Sequence, residues 1–230
     1  NIIVDIVDGA GFDGEFGLGA VPTTLTGLVP LALSNLRVKF DRLHVVVQPG
    51  LSAALLQQVD RRQIDAAIVT RPIGLPQGLN FLKIADEPLE LMAPPDTEDD
   101  DPLSLLRRYP FIRFDRNALV GQLVETWLQD QKIVVQESME LEDLEAIASM
   151  VMANLGVSIV PRRCVRNMNP LPVTRISLGH DAPIRQLGLV HRIDSAKTPV
   201  IEAVHHALLD SVVLGEFTKP SGDLHPVAEM

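Results

Sequence analysis

From Phe16 onward the sequence alternates short strand-like runs with helix-like runs, and this alternation limits the fold more than any other feature of the chain. "FGLGAV" reads as a buried strand. After "PTT", Leu25, Leu28, Val29, Ala32, Leu33 and Leu36 recur at the spacing of one helix face. Pro30 interrupts that helix and costs a hydrogen bond unless it lies in the first turn. "LHVVVQ" is a second strand. "LSAALLQQV" is a helix with Ser52 as N-cap and a staple from Leu51 to Leu56. "DAAIVT" is a third strand, followed by the loop "RPIGLPQG". Strand and helix in turn predict parallel strands joined by right-handed crossovers.

A second set follows. "PLELMAP", "FIRF", "IVVQ", "VSIVP" and "QLGLVH" read as strands. "NALVGQLVETWLQ" is a helix with ridges Leu119/Leu123/Trp127 and Val120/Val124/Leu128. "LEDLEAIASMVMAN" is a helix buried on Leu144, Ile147, Ala148 and Val151, with acids in its first turn and Gly156 as its stop. "TPVIEAVHHALLDSVV" closes the set, with Thr198 as cap and Pro199 at the first position. Two runs of about a hundred residues or fewer fit two α/β lobes better than one long sheet.

The stretch "GAGFDG" matches the dinucleotide pattern G-x-G-x-x-G only in letters. Before it, "NIIVDIVD" has the period of a helix, and "EFGLGAV" after it is strand-like, so the order is inverted. It reads as a connector. Net charge is −10, from 30 acids against 20 bases, which repels a polyanion from most of the surface. No apolar run approaches ~18 residues, the length needed to span a bilayer. The chain opens on Asn1 with no visible signal peptide. The single cysteine, Cys164, forms no internal disulfide; it sits among Arg162, Arg163 and Arg166, where a lowered thiol pKa or an inert thiol are both open readings.

Several segments carry candidate chemistry. In "QPGLSAA" a strand ends, Gly50 turns the chain and Ser52 starts a helix, either as a structural cap or as part of an anion seat. In an open α/β sheet, ligands sit at the carboxyl ends of strands. Thr23 and Thr24 follow the first strand and Arg71 and Pro72 the third, so their polar groups are expected to converge with Ser52. "GLSAA" also approaches a nucleophile elbow, with His191, His205 or His206 as base, but no oxyanion-loop motif accompanies it. The six histidines show no i, i+4 pair with a third ligand, and the acidic run "DTEDDDP" reads as a solvated loop; neither a metal nor a cofactor is expected.

Taken in order, "FGLGAVPTT", "QPGLSAALLQQV", "DAAIVTRP", "EPLELMAPP", "PFIRFDRNALVGQLVETWL", "MELEDLEAIASMVMANLGVSIVP" and "LGLVHR" resemble the effector-binding domain of LysR-type transcriptional regulators, over about residues 15–214. The resemblance implies a fold like type 2 periplasmic binding proteins: two Rossmann-like α/β lobes joined by two crossover segments, near 86–88 and near His191. Residues 1–14 would be the end of a linker helix and a connector, 15–86 plus 191–217 lobe I, 87–190 lobe II, and 218–230 a tail. It implies effector contacts at Thr23, Thr24, Gly50, Leu51, Ser52, Arg71 and Pro72, and from the other lobe at Phe114, Arg116, Asn117, Gly156 and Val157. Charge complementarity suggests a small carboxylate as effector. The resemblance also implies a non-enzymatic, cytoplasmic ligand sensor that forms dimers or tetramers, helix 25–36 of one subunit lying against helix 119–128 of another. DNA would be read only by a helix-turn-helix domain absent from this sequence. A periplasmic solute-binding protein on the same fold is the alternative, and a hydrolase using Ser52 the third reading.

Overall fold

The computed structural model describes residues 12–220 and 223–224. The expected linker helix at 1–8 and the first part of the connector lie outside them, as does much of the tail. Lobe I is built first. Strands β1 (Gly14–Ala20), β2 (Leu43–Pro49) and β3 (Ala66–Thr70) run parallel in the order β2-β1-β3. Helices α1 (Leu28–Lys39) and α2 (Ser52–Asp60) connect them. Pro30 sits in the first turn of α1. The first backbone bond there runs from Leu31 N–H to the Gly27 carbonyl, so the missing proline N–H has no intrahelical partner to lose.

One 15-residue strand, β4 (Leu79–Ala93), then carries the chain from lobe I into lobe II. Lobe II adds α3 (Pro102–Arg108), β5 (Pro110–Phe114), α4 (Leu119–Asp130), β6 (Gln136–Leu141), α5 (Leu144–Met152), β7 (Val157–Pro161) and β8 (Thr174–Ser177). Strand β9 (Ile184–Arg192) returns to lobe I, and α6 (Thr198–Leu214) packs there on α1. Pairing gives β2-β1-β3-β9-β4 in lobe I and β8-β4-β7-β5-β6 in lobe II, so β4 is an edge strand in one and an interior strand in the other. The sheet is mixed rather than parallel throughout, because the return strand β9 is antiparallel to both β3 and β4. Two separate cores follow. One is centred on Phe16, Leu18, Leu55, Ile68 and Leu189; the other on Leu91, Leu106, Phe111, Ile147 and Ile159.

Several local expectations are corrected. The second crossing lies at Ile184 to Gln186, opposite Glu87, not near His191. His191 pairs with Ala66 and Asn80 inside lobe I. "IVVQ" is not a strand: Val134 is 92 % exposed, and the strand is the polar run that follows, "QESMEL". That edge strand pairs with β5, packs Met139 and Leu141 on the lobe II core and is tied further by ion pairs from Arg113 and Arg116 to Glu137. The acidic run is not a plain solvated loop. Asp101 caps α3 through Leu103 N–H, and Asp99 accepts from Asp101 N–H, Ser104 Oγ and Arg108. Helix α5 ends before Gly156, with Asn154 in the left-handed conformation. Gly156 serves another purpose, since a Cβ there would lie 2.4 Å from the Pro110 carbonyl oxygen where β7 approaches β5. Thr198 is the first residue of α6 rather than its cap, its hydroxyl donating to the Ser195 carbonyl.

Candidate functional site

The carboxyl ends of β1, β2 and β3 point at those of β5, β6 and β7 across the two crossings. The loops that leave these ends therefore face each other. Between them lies a cleft of about 430 Å³. Pro22, Thr23, Leu25 and Thr26 line it after β1, and Pro49, Gly50 and Leu51 line it after β2. Its other wall is Glu142, Asp143, Leu144 and Glu145, the entry to α5.

The two walls differ in charge. On the lobe I side the N-terminus of α2 carries no side-chain cap, so its first-turn N–H groups and the positive end of its dipole are available to an anion. On the lobe II side Asp143 caps α5 through Glu145 N–H (2.7 Å) and Ala146 N–H (3.3 Å), and Glu142 stands beside it. Glu145 is partly buried, which alone would raise its pKa. Hydrogen bonds and charge from Arg163, with bonds from Asn167 and Thr26, outweigh this and hold its carboxyl below the usual carboxylate range.

The cleft brings together only some of the expected residues. Thr23, Gly50 and Leu51 line it. The Thr23 hydroxyl is already engaged, accepting from Arg185 Nη1 at 2.7 Å, and Thr24 donates to the Val21 carbonyl. Ser52 is not the cap of α2. Its hydroxyl turns into lobe I and accepts from Thr70 N–H at 3.2 Å, so it ties the start of α2 to the end of β3. With Leu51 as the cap position, the expected staple has no place. Arg71 lies back over the Phe81 ring, 5.1 Å from its centre, and donates to Gln186; neither it nor Pro72 lines the gap. Phe114 is buried in the lobe II core, while Arg116 is drawn to Glu137 and Asn117 N–H to Asp115. Gly156 and Val157 stand at the amino end of β7, about 17 Å of extended strand from the cleft. There they line a different hollow of about 650 Å³ with Pro94, Asp99 and Tyr109. Only the carboxyl end of a parallel strand faces the cleft, which is why a turn preceding β7 cannot reach it.

The acidic wall and Thr26 were not singled out from the sequence. The available signal was the run "LEDLE" after a strand, the same carboxyl-end rule that picked out Thr23 and Gly50. Among the described residues no group of three or more His, Cys, Asp or Glu side chains could hold a metal. The Cys164 thiol is pushed up to about 12 by burial and the neighbouring Glu87 carboxylate, not lowered by the arginines around it. The helices of the expected subunit pairing each spend one face on their own lobe, leaving Leu33 and Val38 of α1 and Leu119 and Leu123 of α4 at least partly exposed. Leu28, Val29, Leu31, Ala32 and Leu36 of α1 are buried in lobe I, and Val120, Val124, Trp127 and Leu128 of α4 in lobe II.

Two lobes, two crossing strands and a gap walled by strand-end loops define a two-lobed ligand-binding domain. The chain belongs to the LysR substrate binding domain family, whose model matches residues 9–212. Domains of this family are parts of transcriptional regulators, which are not enzymes. Among curated relatives, the chain is 24 % identical over 193 residues to the HTH-type transcriptional regulator SoxR of Arthrobacter sp. (strain TE1826), covering 82 % of this chain and 64 % of that protein. The chain thus spans less than two thirds of that relative's length. Among solved structures, the effector binding domain of QuiR in complex with shikimate superposes with a TM-score of 0.73 at 17 % identity, over 90 % of this chain and all of that one. The reduced form of OxyR from N. meningitidis gives 0.74 at 20 % identity, over 88 % of this chain and 98 % of that one.

Proposed function

We propose that the chain is the effector-binding part of a LysR-type transcriptional regulator, and that its effector is a small carboxylate bearing hydroxyl or ammonium groups, held between the lobes. The reading rests on the two unlike walls of the 430 Å³ cleft. The uncapped start of α2 suits a carboxylate. Glu142 and Asp143 opposite suit donor groups and disfavour a simple dianion. That QuiR is known with shikimate in its effector-binding domain supports a small-molecule ligand for this fold. Binding would favour one lobe angle over another in proportion to its differential affinity for the two. The change would pass through a homodimer or tetramer to a DNA-binding part, the chain itself carrying too much negative charge to hold DNA. Membership of the LysR family favours this cytoplasmic regulator over periplasmic transport.

The test is a thermal-shift screen of small hydroxy and amino carboxylates at millimolar concentration. A ligand that binds only the folded chain raises its melting temperature. A hit whose effect disappears in a Leu51→Glu variant, which places a carboxylate at the cap position of α2 on the cleft wall, supports the site. A screen in which only amines without a carboxylate score would remove the carboxylate from the proposal.

A further inference from the structure

After β7 ends at Pro161, Arg162 N–H still donates to the Pro88 carbonyl of β4, and the chain then leaves lobe II before β8. Residues 164–167 are held on lobe I instead. Val165 is buried in the lobe I core. Its carbonyl lies against Gly27, where a Cβ would come within 2.6 Å of the oxygen, and Gly27 holds a positive φ of 87° that glycine alone adopts easily. Arg166 N–H donates to the Gly215 carbonyl, and Phe217 N–H donates back to Arg166. Cys164 N–H donates to Glu87 Oε2 at 2.6 Å. This excursion is a third passage between the lobes, beside the two crossing strands.

From this passage two side chains reach back to lobe II and meet on one atom, Glu145 Oε1. Arg163 Nη1 donates to it at 2.6 Å and Asn167 Nδ2 at 3.0 Å. The Thr26 hydroxyl donates to the same oxygen at 3.2 Å while accepting from Arg163 Nη1 at 2.6 Å. The three donors stand on lobe I or on the segment held to it, and Glu145 stands on α5 of lobe II. Thr26 and Glu145 both line the cleft. The Glu145 side chain keeps 43 % of its surface exposed, and among the described residues its Oε2 accepts no hydrogen bond.

We propose that Glu145 latches the lobes across the cleft, and that an effector signals by drawing Glu145 away from Thr26 and Arg163 with a donor group of its own. The second half rests on the cleft being the effector site; the first does not. A hydroxyl or ammonium group in the cleft can approach the free Oε2, and any displacement of the carboxylate toward it loosens three bonds at once.

The latch is tested on the ligand-free chain with Glu145→Ala, Glu145→Gln and Thr26→Val, and with Glu142→Gln as a control that lines the same wall. Small-angle scattering and amide hydrogen exchange are read together. Glu145→Ala should enlarge the radius of gyration and speed exchange of residues 164–167 by roughly tenfold or more, with β5 and β7 unchanged. Thr26→Val, which acts from the other lobe, should shift both readouts the same way, Glu145→Gln should fall between, and Glu142→Gln should match the parent. Unchanged scattering and exchange in both Glu145→Ala and Thr26→Val would overturn the latch. Any hit from the carboxylate screen is then titrated into Glu145→Ala. Unaltered affinity would overturn the coupling alone, whereas a screen without hits would count against the effector reading and leave the latch result standing.

Discussion

Arg185 and Glu87 form an ion pair, exposed to only 1 % and 2 %, at the point where β9 and β4 pass between the lobes. Each member also holds a further partner. Arg185 also donates to Thr23 in the cleft loop, and Glu87 also accepts from Cys164 N–H in the excursion that carries Arg163. The pair therefore joins the crossing strands to the two segments that reach Glu145.

Removing one partner should be costly, because it leaves a buried charge without compensation. Arg185→Met is expected to lose about 3–5 kcal/mol in urea unfolding. Adding Glu87→Leu to it should restore much of that loss, since the stranded carboxylate is removed as well. A single variant with unchanged stability would show that the pair is not buried in solution.

Leu28 distinguishes the core from the subunit interface. Leu28→Asp is a natural choice for weakening a dimer through helix 25–36, yet Leu28 is 3 % exposed and packs in lobe I. Truncating such a leucine alone costs about 2–5 kcal/mol, and a buried carboxylate adds to it. The variant should therefore unfold the chain. Val38→Asp, at a position 77 % exposed on the same helix, should change stability by no more than about 0.5 kcal/mol. Sedimentation of the folded Val38→Asp variant is then the measurement that bears on self-association.

Ser52→Ala should act on stability rather than on ligand binding. The hydroxyl accepts a buried backbone N–H from Thr70, and an N–H left without a partner costs about 1–3 kcal/mol. Denaturant unfolding should show that loss, while a ligand bound at the start of α2 keeps its affinity. A large drop in affinity at constant stability would return the Ser52 hydroxyl to the site.

Cys164 should be slow to alkylate. Its pKa rises from 9.0 to about 12, so at pH 8 the folded chain holds roughly a thousandfold less thiolate than a free cysteine. The sign follows from a raised pKa. The protonated thiol is favoured in the folded state, its contribution is complete below pH 9, and it fades as the pH climbs toward 12. Iodoacetamide labelling should accelerate through that window and jump on unfolding. Fast labelling at pH 8 in the native chain would contradict the burial beside Glu87.

Local periodicity was enough for the helices at 28–39, 52–60, 119–130, 144–152 and 198–214, because each buries one stripe against a sheet and so repeats its apolar residues at the helical spacing. The carboxyl-end rule was enough to pick Thr23, Gly50 and Leu51. Edge strand β6 was missed because Glu137 is bound to arginines and "IVVQ" beside it looks more strand-like.

The sequence by itself determined which segments are strands and helices in most of the chain, and which loops leave the carboxyl ends of the lobe I strands, because both depend on neighbours along the chain. Tertiary structure alone decided that β4 runs unbroken through both lobes, that Ser52 turns inward, that Gly156 lies at the far end, and that Glu145 meets Thr26, 119 residues away. Contacts between groups so distant leave no period in a sequence. They are fixed only when two sheets are set at one angle and the charges left between them find partners.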